Sequence, residues 1–252
     1  MGGPLWAPAP GRAYGPGMDL VELLPERLYQ FAFPVGHAYL WRGPDGLTIV
    51  DTGLPGSAPL IAAAVESLGL DRRDVRNLLL THAHPDHTGA AADIAAWGDV
   101  TVHAHAGDAE AVRGRAAVPP PVLDGWERDL YEQVHATLPD APAPPARVDR
   151  ELRDGDVVDL GGGVTATAVE VPGHTPGSVA FHLPGPGVLF TGDTIARTPD
   201  GAVIPGVFNA DPGRVAESFR RQAALRPATV CFGHGAPLTD QAARLLTDAA
   251  SR

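Results

Sequence analysis

Hydrophobic and polar positions change period repeatedly along the chain. Leu28-Tyr29-Gln30-Phe31-Ala32-Phe33 and Ala38-Tyr39-Leu40-Trp41 alternate. A turn signal at Gly43-Pro44-Asp45-Gly46 precedes Leu47-Thr48-Ile49-Val50. Short alternating runs bounded by Gly and Pro predict strands. Over 57–68 the period lengthens: Leu60, Ile61, Ala64, Val65 and Leu68 fall at helical spacing, and Gly69 closes the helix. A buried-type strand follows over Val75 to Leu80, then an Ala-rich helix over 89–97, a strand over Val100 to His103 and a helix starting within 107–113. Strands alternating with helices predict an α/β layered fold.

The rhythm breaks over 114–147, where Pro119-Pro120-Pro121 and the run Pro139 to Pro145 bracket one helix, Asp124 to Leu138. This segment reads as an insert on the scaffold, either a cover for a site or a spacer. Strands resume over Asp156 to Leu160, Val164 to Val171, Ser178 to Leu183 and Val188 to Thr191. A helix over 212–226 has Asp211 as N-cap and Pro212 in its first turn. Thr229 to Phe232 is a further strand, and 239–250 the last helix. Ile49 to Gly53 and Leu189 to Thr194 are both apolar strands ending in a Gly/Asp/Thr turn, and each is followed by a helix and a strand ending in histidine. The chain therefore reads as two similar halves.

Chemistry gathers where the apolar runs stop. Asp51 follows the strand at Val50, either as a loop cap or as a carboxylate orienting a metal ligand. Thr81-His82-Ala83-His84-Pro85-Asp86-His87 follows Leu80; His174 and Asp193 end later strands, and His234 follows Phe232. His82 and His84, two apart in extended chain, point the same way. Pro85 turns the backbone and presents Asp86 and His87 as a second set. Imidazoles and carboxylates together suit zinc, iron or manganese. Ligands collected from several strand ends make an open, substrate-accessible site.

Composition narrows the partners. A net charge of −11 argues against nucleic acid, which needs clustered Lys and Arg. No apolar run reaches membrane-spanning length, so no membrane partner is expected. The one cysteine, Cys231, reads as buried core; it forms no internal disulfide, which fits a reducing cytoplasm. The Gly/Pro-rich segment 1–17 reads as a flexible tail and not a signal peptide, with Met18 as an alternative start, and 18–252 as one domain. Oligomeric state leaves no trace in the sequence.

In their order and combination, Asp51-Thr52-Gly53, the His-x-His-x-Asp-His of residues 82–87, His174, Asp193 and His234 resemble the metallo-β-lactamase superfamily from about Leu20 onward, the 114–147 insert apart. The resemblance implies a four-layer αββα sandwich with metals at one edge of the sheets. It implies that His82, His84 and His174 bind one divalent cation, that Asp86, His87 and His234 bind another, and that Asp193 bridges them. Asp51 would stand behind the ligands. Zinc is the first expectation, iron and manganese the others. Two such ions bring the pKa of a water to roughly 7 and polarise a carbonyl. Asp86 is the expected catalytic carboxylate, orienting the nucleophile. An Asp at 193 resembles glyoxalase II and the lactonases and differs from the Cys or Ser usual in true β-lactamases. Ala196 stands where quorum-quenching lactonases carry Tyr, and the segment Thr239 to Arg252 lacks the basic glutathione-binding character of glyoxalase II.

The reading is a dinuclear metal-dependent hydrolase of a small ester, thioester or lactone. A mononuclear iron persulfide dioxygenase shares the ligand set and is the alternative; a true β-lactamase and a non-catalytic binding protein stand behind it. His37 and Arg197 are candidate substrate contacts. His103 and His105 are expected to be structural or at the surface, and His135 and His182 to face outward.

Overall fold

Strands that are apolar on both faces need cover on both sides, and the computed structural model supplies it. It describes residues 17–136, 138 and 142–252; the tail read over 1–17 lies outside these except for Gly17. In chain order the first elements are β1 (Asp19–Leu24), β2 (Leu28–Ala32), β3 (His37–Arg42), β4 (Leu47–Val50), α1 (Ala58–Ser67) and β5 (Val75–Leu79). The short helices α2 (Pro85–Thr88) and α3 (Ala91–Ala95) lead to β6 (Thr101–His105), α4 (Ala109–Val112), α5 (Gly125–His135) and β7 (Arg150–Leu152). The second half holds β8 (Val157–Asp159), β9 (Thr165–Glu170), β10 (Val179–Leu183), β11 (Val188–Phe190), β12 (Ile195–Arg197) and β13 (Val203–Pro205). It closes with α6 (Pro212–Ala224), β14 (Thr229–Cys231) and α7 (Ala242–Ala250).

Strands β1 to β7 form one sheet in sequence order, and a five-stranded sheet runs β14-β11-β10-β9-β8. Side chains alternate across both. Ile49 and Leu78 face outward onto Ile61 and Val65 of α1 and Ile94 of α3, while Val50 and Leu79 face inward onto Phe181 and Phe190 of the other sheet. In the five-stranded sheet Ala180, Leu189 and Val230 turn outward onto Phe219 of α6 and Leu246 of α7. The result is helix, sheet, sheet, helix, the four-layer αββα sandwich. In the seven-stranded sheet β4 to β7 run parallel, and in the five-stranded sheet β11 runs parallel to β14; the ends of β4, β5, β11 and β14 meet at one edge. Buried bonds tie the sheets together near that edge: the Tyr39 hydroxyl on β3 donates to the carbonyl of Phe232 just past β14, at 2.6 Å, and the Val179 N–H on β10 to the carbonyl of Thr81 just past β5, at 2.9 Å.

Three elements differ from expectation. The last helix begins at Ala242 and not at 239, because Leu238 bridges back to Val230 and Gln241 turns the chain with φ +51°. The loop after Asp193 contains a hairpin, β12 paired with β13; strands of three residues carry too little alternation to register as a pattern. The C-terminal end of the 114–147 segment returns to the core, where Ala146 and Val148 are buried beside Val102. Its helix stops at His135, short of Leu138, and is opened by a capping box from Asp124 and Glu127.

Candidate metal centre

The parallel strands deliver their ends to one edge, so residues distant in sequence meet there. Asp51 follows β4 with φ +58°, a left-handed turn that swings its carboxyl under the next strand. It accepts from the Thr81 N–H at 2.8 Å and the Thr81 hydroxyl at 2.7 Å. The Nδ1–H of His87 donates to it at 2.9 Å. The Thr81 hydroxyl in turn lies 3.1 Å from His82 Nδ1. One buried carboxylate thus orients His87 directly and His82 through Thr81, so that each presents Nε2 as the atom that would bind a cation.

Two groups of potential ligand atoms lie at this edge, His82 with His84 and His174, and Asp86 with His87, Asp193 and His234; within each group the atoms fall within 4.8 Å of one another. In the first, His82 Nε2 is 3.1 Å and His174 Nε2 2.9 Å from His84 Nδ1. Two nitrogens on a tetrahedral zinc stand about 3.3 Å apart, so the spacing suits a shared cation. Burial, with neighbouring imidazoles adding to it, lowers all three from the ordinary histidine range, His82 well below it and His84 to about 3. They stand as neutral imidazoles, the form that ligates.

The second group is charged. His87 Nε2 lies 3.4 Å from Asp86 Oδ2 and 3.3 Å from Asp193 Oδ1, and His234 Nε2 lies 3.2 Å from Asp86 Oδ2 and 3.1 Å from Asp193 Oδ2. Burial acts to lower both imidazoles, but Asp193 and Asp86 outweigh it and hold them raised, His234 to about 10. Burial acts to raise both carboxyls, and the two imidazoles outweigh it in turn. His87 Nε2 and Asp193 Oδ1 are buried and have no hydrogen bond, despite lying 3.3 Å apart. Once His87 Nε2 has lost its proton, both atoms offer a lone pair, and a cation between them would satisfy both. Asp193 also reaches the first group, its Oδ2 lying 3.6 Å from His174 Nε2 and 4.0 Å from His82 Nε2.

His37 opens β3 beside this group. Burial first, then His234 and His87, pull it down to about 3, and its Nδ1 is buried without a partner. Arg197 is engaged elsewhere. Its guanidinium donates to the carbonyls of Gly201, Ala236 and Pro237, and its N–H to that of His234. It braces the loop carrying His234 and does not reach out as a free anchor. His103 is buried with Nε2 on Asn77 Oδ1, and His105 is buried near Gly107. His135 lies at the exposed end of α5, stacked on Tyr131, and His182 is half-buried. Supporting residues escaped the sequence reading, Thr81 and Asn209 among them. Thr81 was visible as the neighbour of His82. Asn209, whose Oδ1 accepts from His174 Nδ1–H at 3.2 Å, sits in an irregular loop without any motif.

Asp51→Ala is expected to weaken metal binding about 10- to 100-fold, because His87 and Thr81 lose their shared acceptor. Competition with a chromophoric chelator measures this, and a change under about twofold would contradict the assignment.

Known proteins resemble this chain in sequence and in fold. A sequence profile of the Metallo-beta-lactamase superfamily matches residues 33–234. A hydroxyacylglutathione hydrolase of Fuscovulum blasticum is 32% identical over 178 residues, 70% of this chain and 55% of that enzyme, so the chain matches little more than half of its length. A probable metallo-hydrolase of Bacillus subtilis, YflN, is 27% identical over 83% of each chain. A solved metallo-β-lactamase family protein of Thermus thermophilus superimposes with a TM-score of 0.65 and 25% identity, covering 91% of this chain and 78% of that one. That profile match covers residues 33–234, well over half of the chain, and on that ground the chain belongs to the metallo-β-lactamase superfamily.

Proposed function

We propose that the protein is a dinuclear metal-dependent hydrolase acting on a small ester, thioester or lactone. The observation that carries this reading is Asp193, whose two oxygens lie against His87 and His234 on one side and within 4.0 Å of His174 and His82 on the other. His82, His84 and His174 would hold one cation, Asp86, His87 and His234 the second, with Asp193 between. When bound, such ions make water acidic enough to give hydroxide near neutral pH and polarise a carbonyl oxygen. No helix among the described residues is long and apolar enough to cross a membrane.

The protein's own residues supply orientation and access. Side chains of His82, His87 and His174 are 1%, 0% and 3% exposed, whereas Asp86 and His234 are 17% and 26% exposed. Substrate and water therefore approach across Asp86 and His234. Asp86 is the carboxylate we assign to accept the hydrogen bond of the attacking water. His37, neutral beside His234, is assigned to the substrate side of the same opening. Relatives named hydroxyacylglutathione hydrolase direct attention to thioesters first.

The test is metal analysis together with a panel of chromogenic ester, thioester, lactone and cephalosporin substrates. We expect two zinc-class ions per chain and turnover of a carbonyl substrate other than the cephalosporin, lost with chelator. One iron per chain, with oxygen uptake on a persulfide, would replace this reading with the dioxygenase. Gly233 offers a finer test. A Cβ there would run into Asp193 Oδ1 and come within 2.8 Å of His87 Cε1. Gly233→Ala is expected to lower kcat about a hundredfold by displacing Asp193, with the melting temperature of the metal-free protein little changed.

A further inference from the structure

Asp108 follows β6 at the start of α4 and is 3% exposed. Its Oδ1 accepts the Gly177 N–H at 2.7 Å. Its Oδ2 accepts the Ala83 N–H at 2.9 Å and the Thr175 hydroxyl at 2.7 Å. Ala83 lies between His82 and His84, and Thr175 follows His174. The two loops that carry the trihistidine group therefore meet on one buried carboxylate. The approach is close: a Cβ at Gly177 would press on the Asp108 backbone and lie 2.6 Å from its Oδ1. Thr175 is held from its other side as well, its N–H donating to Ser178 Oγ at 2.9 Å.

None of these bonds reaches the second group, whose orientation comes from Asp51 through His87. The second group thus rests on Asp51, and the trihistidine group on Asp51 at His82 and on Asp108 at its two loops. Asp51 underpins His87 and, through Thr81, His82; Asp108 sets the distance between the His82–His84 loop and the His174 loop. That distance decides whether three imidazole nitrogens converge on one cation.

We propose that Asp108 is a positioning residue for the trihistidine cation, controlling the affinity of that site separately from the Asp86–His87–His234 site. The proposal rests on the two-cation reading above. A carboxylate that merely held the fold together would alter stability and leave the ratio of the two site affinities alone.

The experiment titrates metal-stripped protein with Co²⁺, following stoichiometry and the affinity of each step by absorbance and calorimetry. Asp108→Asn keeps the shape but turns an amide NH2 toward at least one N–H or O–H donor. We expect about 10- to 100-fold weaker binding in one step and an unchanged second step. Thr175→Ser, which keeps the hydroxyl, should bind as the native protein does, and Thr175→Val should weaken the same step as Asp108→Asn. In a His234→Ala background the effect of Asp108→Asn should persist. Native affinities in Asp108→Asn, equal weakening of both steps, or identical behaviour of Thr175→Ser and Thr175→Val would overturn the proposal. If Asp108→Asn does not fold, the Thr175 pair decides. A native protein that binds a single ion overturns the two-cation reading. The proposal then holds only if that one affinity falls in both Asp108→Asn and Thr175→Val.

Discussion

Asp193→Ala is expected to reduce turnover on the order of a thousandfold or more, and to lower the metal content below two ions per chain. A thousandfold is about 4 kcal/mol of transition-state stabilisation. The size follows from position. Asp193 lies 3.1 Å from His234 Nε2 and 3.3 Å from His87 Nε2, and its Oδ2 faces His174 Nε2 at 3.6 Å. Its loss removes a ligand from both groups at once, whereas the loss of His84 or His234 damages one. Asp193→Asn separates charge from shape and should retain more metal than Asp193→Ala. Steady-state kinetics with metal analysis on the same preparations measures both effects. A variant with two bound ions and a tenth of native kcat/KM would contradict the bridging role.

Metal removal is expected to lower the melting temperature by about 10 °C for each tightly bound ion. An ion present at a thousand times its Kd stabilises by about 4 kcal/mol, and a chain of this size shifts roughly 2–4 °C per kcal/mol. The loss should grow with pH, and the sign follows from the second group. In the metal-free protein His87 and His234 are raised above the ordinary 6.5, His234 to about 10. Their contribution is complete below about 6.5 and fades as pH rises through the folded value. Asp86 and Asp193 are held well below 3.8, so their contribution is present above that value and fades only in stronger acid. Between about pH 6.5 and 10 the metal-free protein therefore weakens. The loaded protein has already given up those protons and is spared. Thermal melts at several pH values, with and without chelator, should show a gap that widens toward alkaline pH; a narrowing gap would contradict the ion-pair account.

The candidate ligands were legible in the sequence because each sits where an apolar run stops. A histidine or aspartate at that point faces an edge and not a core, so position alone identified His82, His84, Asp86, His87, His174, Asp193 and His234 as candidates. How they divide between two cations came from the family resemblance, since spacing along the chain does not say which strand ends are neighbours. The layered fold was legible through its alternating periods. The supports were not. Asn209 and Asp108 act through single hydrogen bonds or a small set of them across long separations, to His174 in one case and to Ala83, Thr175 and Gly177 in the other. Nothing in their local sequence distinguishes them from ordinary loop residues. Arg197 misled for the converse reason. It stands near Asp193 in sequence, but three carbonyls from 201, 236 and 237 take up its donors.

The hydroxyl of Tyr39 on the carbonyl of Phe232 gives the site a ruler. Asp51 hangs from the seven-stranded sheet and Gly233-His234 from the five-stranded one, and this bond pins the two sheets one residue short of Gly233. The span across which two cations would face each other is thus a thickness of the protein's interior, set by packed side chains and by buried bonds such as this one and that from the Val179 N–H to the Thr81 carbonyl. A substitution deep between the sheets, far from any ligand, would change that span as directly as a change in the ligands themselves.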